Sequence, residues 1–396
     1  VALSGMNFQV ARLPALHFSP GAISVLGEQV CEWGQRILLI TGAASFELLD
    51  QRFGILDLLQ RAGVVLVARA EVSGEPSPTV VDQIVTAQRG TEIDLVVAIG
   101  GGSVLDAAKC VAGLLPTGDS VMEYLEGVGR GKVHDGRSLP LIAVPTTAGT
   151  GSEASMNGVL VDHQQGFKKS FRHPSLVPQV AIVDPDLLAT SPQSLIAANG
   201  CDALSQLLES YLSTKASPFT DGLALSAIEQ MGQGLIPLWE SAGEDAAARS
   251  AVAYGSMVSG ITLANAGLGA VHGLAGPIGG LFPIAHGVVC GTLLGEANRI
   301  NIDALRSRDP SSGALKKYVI IGEKLGFCEA GMGEDAALDR VSAGLIEWVE
   351  RLQIPRLGTL GVSQAGLSDI LQRSDQKANP ITLTEAEFSA IVSRRI

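Results

Sequence analysis

Cysteine is sparse in this 396-residue chain, and it is never closely paired. Cys31, Cys110, Cys201, Cys290 and Cys328 are scattered, odd in number and form no CxxC. That pattern argues against a disulfide framework and against a thiolate zinc site. The plain reading is five small buried hydrophobes in a reducing compartment. Positive charge is also in deficit: 28 Lys and Arg stand against 40 Asp and Glu, for a net charge of -12. Nucleic acid and anionic membrane are disfavoured as partners, whereas a small neutral substrate is not. Long apolar runs are missing, because Gly, Pro or charge interrupts each one before it could span a bilayer. Residues 1–20 lack a basic-then-apolar leader pattern. No internal repeat and no low-complexity segment is present. The expectation is a soluble cytoplasmic protein.

What is present is a chain too long for one ordinary core, so two domains are expected. Hydrophobic residues make up 46% and charged residues 17%, a balance suited to a well-buried enzyme. The first half alternates aliphatic runs with helical spacers. The runs are 36–42, 63–70, 94–100, 140–145 and 180–184, with a hairpin or edge strand somewhere in 8–18. Continuous apolar runs fit strands buried on both faces of a parallel sheet. Past Pro192 the strand-like runs fade. Apolar spacings of three and four predict helices over 194–212, 221–235, 246–264, 315–325, 336–352 and 364–373, and a last one ending near Arg395. The expected fold is an α/β N-terminal domain with a parallel nucleotide-binding sheet over 1–190 and an all-helical domain over 191–396. A ligand cleft between them is the expected place for chemistry.

Two loops carry a chemical signal. Gly100-Gly101-Gly102-Ser103 follows one predicted strand and opens a helix that contains Asp106 and Lys109. Glycines let the backbone approach a pyrophosphate, and the helix N-terminus attracts the anion. The spacing is not GxGxxG, so it is not the ordinary dinucleotide fingerprint. The second loop, Pro145 to Glu153, sets Thr146, Thr147 and Thr150 among glycines at the end of the next strand. Hydroxyls there suit ribose, phosphate or nicotinamide. A polar loop that merely caps the following segment is the alternative.

These two loops, with Val180 to Leu187, Asp202-Ala-Leu204 and the His272 to His286 segment, resemble the iron-containing (group III) alcohol dehydrogenase family. Matching segments run from near Phe18 to Asn379-Pro380. The resemblance implies a dehydroquinate synthase-like architecture and NAD(P)-linked oxidation of small alcohols or reduction of aldehydes. It also implies a divalent metal, Fe2+ or Zn2+, and a homodimer. The family's site uses one Asp and three His, which places metal ligands at Asp202, Gln206, His272 and His286. Gln206 stands where the family has a His. Either it coordinates or holds a water and the metal binds more weakly, or the metal is lost and the site serves substrate by hydrogen bonds. The insert between His272 and His286 holds Pro277, Gly279, Gly280 and Pro283, and must break a single helix. Gly276 replaces a His often found near the nicotinamide, so no catalytic acid or base is assigned. Gly42 stands where some NAD-preferring relatives carry Asp, so NADP is expected to be tolerated. Lys168 or Lys169 matches a Lys that reaches the cofactor in relatives, although a solvated basic pair explains both equally well.

Three other readings remain open on the sequence. One is a metal-independent reductase on the same scaffold, like the maleylacetate reductases. Another is a dehydroquinate synthase-type lyase, disfavoured because the Lys and Arg set for a phosphorylated substrate is not evident. The third is a non-catalytic nucleotide-binding module.

Overall fold

The structure, a computed structural model, describes residues 7–396. It comprises two compact units, Arg12–Ser191 and residues 7–11 with Pro192–Ile396.

In the first unit the strands are β1 (Ala15–Phe18), β2 (Arg36–Gly42), β3 (Val65–Val72), β4 (Leu95–Gly100), β5 (Leu141–Pro145), β6 (Asn157–Asp162), β7 (Phe167–Arg172) and β8 (Val180–Val183). Six of them form one sheet in the order β1-β8-β5-β4-β2-β3. Every neighbouring pair in it is parallel. Helices α1 (Leu26–Trp33), α2 (Phe46–Phe53), α3 (Ile55–Arg61), α4 (Pro78–Ala87) and α5 (Gly102–Leu114) connect them.

Side chains alternate between the two faces with a period of two. Leu38, Ile40, Val96, Ala98 and Ala143 pack into one core with Val104, Leu105 and Ala108 of α5. Ile37, Leu39, Val97, Ile99, Ile142 and Val144 pack into the other with Leu26, Val30 and Phe46. Because both faces of β2, β4, β5 and β8 are buried, those strands read as unbroken aliphatic runs. The fifth expected run is β3, a largely exposed edge strand, so all five runs are strands. The expected N-terminal element is β1, an edge strand paired with β8. The antiparallel β6–β7 hairpin was not expected. Only Phe167 and Phe171 of β7 are buried, and the basic pair between them masks the alternation.

The second unit is helical: α6 (Gln193–Leu212), α7 (Pro218–Glu240), α8 (Ala246–Ala266), α9 (Ala270–Leu281), α10 (His286–Arg308), α11 (Gly313–Leu325), α12 (Glu334–Arg351), α13 (Leu367–Gln372) and α14 (Glu385–Ser393). Helix α6 is buried along nearly its whole length and is packed by α7, α8 and α10, as expected of a helix apolar on all sides. The helices expected from apolar spacing are all present. Helices α9 and α10 were not expected, because their glycines and Pro277 lower helix propensity. Burial outweighs propensity here: Val271, Leu274, Ile278, Val289 and Leu293 share one core. Pro277 lies inside α9, and the chain breaks after it, over residues 282–285. Among the described residues no single helix is long and apolar enough to cross a membrane.

Candidate functional site

The sheet order puts a topological switch between β2 and β4. From β2 the chain crosses to β3 on one side, and from β4 it crosses to β5 on the other. The crevice outside the carboxyl ends of two such strands is where doubly wound sheets bind ligands. Gly42 ends β2 and Gly100 ends β4. The Thr146 amide, just past β5, donates to the Gly100 carbonyl at 3.0 Å. The thirteen-residue helix α5 starts at Gly102, so its first unpaired N–H groups, Ser103 in the first turn, lie at this edge.

The two loops interlock closely. A Cβ on Gly102 would fall 2.5 Å from Thr150 Oγ1, and one on Gly101 would fall 3.1 Å from Thr147 Oγ1. The structure therefore brings Gly100, Gly101, Gly102, Thr146, Thr147 and Thr150 together. Beneath them Lys109 is fully buried. Its ammonium donates to the Ser152 carbonyl at 2.9 Å, to Ser155 Oγ at 3.1 Å and to the Asn157 carbonyl. Asp106 accepts from the Ser152 hydroxyl at 2.5 Å and lies 3.2 Å from Lys109 Nζ. Asp106 thus braces the second loop against α5. Lys168 forms an ion pair with Glu75, and Lys169 is exposed. Beside Gly42, Arg69 donates to Thr41 Oγ1 at 3.3 Å and stacks on Phe46. It also pairs with Glu47 and Glu71.

In the helical unit, Asp202, Gln206 and Glu209 sit on α6 at i, i+4 and i+7, one face of the helix. His272 lies near the start of α9, and His286 is the first residue of α10. His272 Nε2 is 3.2 Å from Asp202 Oδ1, and His286 Nε2 is 3.7 Å from the same oxygen. Glu209 fixes the other side of His272: its carboxylate accepts from Nδ1 at 2.6 Å and from the Val271 amide at 2.6 Å. With Nδ1–H committed to Glu209, a neutral His272 turns the Nε2 lone pair toward the Asp202 carboxylate. Two acceptors at that distance need a cation between them or a proton on the ring. Burial lowers the pKa of His272, but Cys290, Glu209 and Asp202 together raise it well above 6.5. Burial opposes ionisation of Asp202, yet both imidazoles hold its carboxyl well below the usual range. The same donors suit a divalent ion: one carboxylate oxygen, two imidazole nitrogens and a carboxylate orienting one imidazole from behind.

Gln206 is buried on the expected face, and its Oε1 accepts from Ser259 Oγ of α8 at 3.1 Å. Space beside Gly276 is open. Three participants were not singled out by sequence reasoning: Glu209, Ser259 and Cys290. Glu209 carried a signal, since it lies seven residues after Asp202. Cys290 carried one too, four residues after His286 on one helix. Its thiol does not fit the reading of all five cysteines as inert hydrophobes, because Asp202, His272, His286 and Cys290 present ligand atoms all within 4.8 Å of one another.

A parallel sheet with a glycine loop at its switch point and a helical unit with an Asp–His–His cluster together fit one class, an oxidoreductase. Comparison with known proteins agrees. The profile of the iron-containing alcohol dehydrogenase matches residues 14–185, and that of the Fe-containing alcohol dehydrogenase family, C-terminal, matches residues 196–396. Long-chain-alcohol dehydrogenase 1 of Geobacillus thermodenitrificans is 34% identical over 394 residues, 96% of each chain. The crystal structure of an archaeal halo-thermophilic Red Sea brine pool alcohol dehydrogenase superposes with a TM-score of 0.88 at 27% identity, covering 99% of each chain. Sulfoacetaldehyde reductase from Bifidobacterium kashiwanohense, solved in complex with NAD+, gives 0.84 at 26% identity over 98% of this chain and 99% of that one. The chain belongs to the iron-containing alcohol dehydrogenase family, and is an oxidoreductase acting on CH–OH groups.

Proposed function

We propose that this protein is an NAD(P)-dependent alcohol dehydrogenase and aldehyde reductase acting on small uncharged substrates, assisted by a divalent metal. The observation that carries the reading is the convergence of His272 Nε2 and His286 Nε2 on Asp202 Oδ1, with Glu209 locking His272 from behind. These residues would hold the ion. When bound, it would polarise the substrate oxygen and favour alkoxide character before hydride leaves the carbon. The nucleotide reading rests on Gly42, Gly100, Gly101, Gly102, Ser103, Thr146, Thr147 and Thr150 at the switch-point edge, with Asp106 and Lys109 holding their loops in register. Lys168 is a weaker member of that set, because Glu75 already neutralises it. Gly42 supplies no carboxylate to repel a 2′-phosphate, which supports use of NADP as well as NAD. No side chain at Gly276 can relay a proton, so proton transfer falls to water, a cofactor hydroxyl or another group.

One observation favours a second reading. Gln206 offers a neutral oxygen that Ser259 already engages, as a metal-independent reductase would tolerate. A single experiment separates the two. Protein purified without added metal is assayed for aldehyde-dependent NAD(P)H oxidation before and after chelation and after repletion with zinc or iron. Activity that falls with chelation and returns with metal is expected. Full turnover after chelation, with less than about a tenth of an equivalent of metal bound, overturns the metal-assisted reading.

A further inference from the structure

The metal reading leaves the fourth ligand unsettled, because Gln206 can offer only an amide oxygen. On α10, Cys290 stands one turn after His286, and its sulfur lies 3.6 Å from His272 Nε2 and 3.6 Å from His286 Nε2. A tetrahedral zinc with bonds of about 2.0–2.1 Å to N or O and about 2.3 Å to S spaces its ligands roughly 3.3–3.6 Å apart. The His272–Asp202, His286–Asp202 and both sulfur–imidazole separations run from 3.2 to 3.7 Å. Those four separations are close to the edge length of one such tetrahedron, and the other two pairs, Asp202 with Cys290 and His272 with His286, have ligand atoms within 4.8 Å.

The backbone supports this placement. A Cβ on Gly287 would fall 2.7 Å from the Ala198 carbonyl, and one on Gly291 would fall 3.0 Å from Cys201 Cβ. These two glycines flank Cys290 and let α10 press against α6, which delivers the sulfur to Asp202. Gln206 Oε1, the only atom of that side chain suited to a cation, already accepts from Ser259 Oγ.

We infer that Cys290 is the fourth metal ligand, giving an Asp202–His272–His286–Cys290 set that takes zinc, with Gln206 outside the coordination sphere. The inference rests on the metal-assisted reading above. Coordination breaks the Cys290 S–H bond; the electron pair stays on sulfur and the proton leaves to solvent. Metal binding and loss of the thiol proton are linked, because the ligand form of cysteine is the thiolate. A thiolate with two imidazoles is softer than an all-nitrogen and oxygen set and favours zinc over ferrous iron.

The test uses the full chain, stripped by chelation and reloaded with cobalt(II) as a spectroscopic stand-in for zinc. One cobalt per chain and a near-ultraviolet thiolate-to-cobalt charge-transfer band are expected. Cys290→Ser should lose the band and bind cobalt at least tenfold more weakly. Gln206→Ala should keep the band and bind within about threefold of wild type, and Cys201→Ser should keep it as well. X-ray absorption of the zinc-loaded wild type gives a readout that needs no variant: a sulfur neighbour at about 2.3 Å. Stoichiometric cobalt without the band, the band surviving in Cys290→Ser, or a hundredfold loss of affinity in Gln206→Ala overturns the inference and leaves the metal reading intact. No metal uptake by wild type overturns both.

Discussion

Gly287 of α10 approaches Ala198 of α6 so closely that a side chain at 287 would lie 2.7 Å from the Ala198 carbonyl oxygen. The obstacle is backbone, which cannot swing aside as a flexible side chain would. Gly287→Ala should therefore push α10 away from α6 and part His286 and Cys290 from Asp202. Overpacking of this kind costs about 1–3 kcal/mol of stability. The predicted result is a lowered melting temperature together with at least a tenfold weaker zinc affinity, read by thermal unfolding and competitive chelator titration. Unchanged zinc affinity in the substituted protein would show that the helix spacing does not set the site.

Glu209 touches no ligand atom of the proposed set, yet it should control the site. Its carboxylate takes the His272 Nδ1 proton and the Val271 amide. Glu209→Gln keeps the shape but offers one oxygen and an NH2 group in place of two acceptor oxygens. The ring then loses the partner that fixes its tautomer, and metal affinity should fall by about 10–100-fold. Isothermal titration with zinc checks this. Wild-type affinity in Glu209→Gln, with the fold retained, would remove Glu209 from the positioning role.

The legibility of this molecule in its sequence was uneven for physical reasons. The parallel sheet was legible because strands buried on both faces leave unbroken aliphatic runs, as at 36–42 and 95–100. The amphipathic helices showed through their apolar spacing. Helices α9 and α10 were hidden, since Pro277, Gly279, Gly280 and Gly287 read as breakers until the packing that requires small residues is seen. Asp202, His272 and His286 stood out through resemblance, and the structure gathers them on one oxygen. Cys290 did not stand out, because a lone cysteine on a buried helix looks like any small hydrophobe. Only the approach of α10 to α6 shows that its sulfur faces two imidazoles. The working partners of Asp106 and Lys168 were equally hidden, since Ser152 and Glu75 lie far from them in sequence.

Nucleotide choice should turn on Gly42. Its backbone is not in the left-handed region, and a Cβ there would fall 2.8 Å from Ser45 Oγ, the end of a rotatable side chain, and in ordinary contact with Val104 Cγ2 at 3.8 Å. Gly42→Asp is thus expected to fold normally. If the nucleotide lies at the switch-point edge as proposed, the added charge at the carboxyl end of β2 accepts from ribose hydroxyls and repels a 2′-phosphate. Wild type should use NADP. The substitution should lower kcat/KM for NADP relative to NAD by at least tenfold, measured with both cofactors on one aldehyde. A wild type already restricted to NAD, with the ratio unmoved by Gly42→Asp, would refute the assignment.

Glu153 should give the α/β unit a distinctive pH dependence. Its carboxyl is buried at the end of the Pro145–Glu153 loop, and burial pushes its pKa from 4.5 up to about 7, against opposing help from its own backbone amide and Lys109. Because the folded value is raised, the native state holds the proton more tightly than the unfolded chain does. The associated stability is fully present below about pH 4.5 and is lost as the pH rises through about 7. At 1.36 kcal/mol per pH unit, the shift is worth about 3 kcal/mol. Glu153→Gln cannot ionise, so its stability relative to wild type should grow between pH 5 and pH 8 by an amount of that order. Urea unfolding of both proteins at the two pH values measures the difference. A constant gap across that window would mean that Glu153 ionises in the folded protein at an ordinary carboxylate value, with Lys109 rather than burial setting its charge.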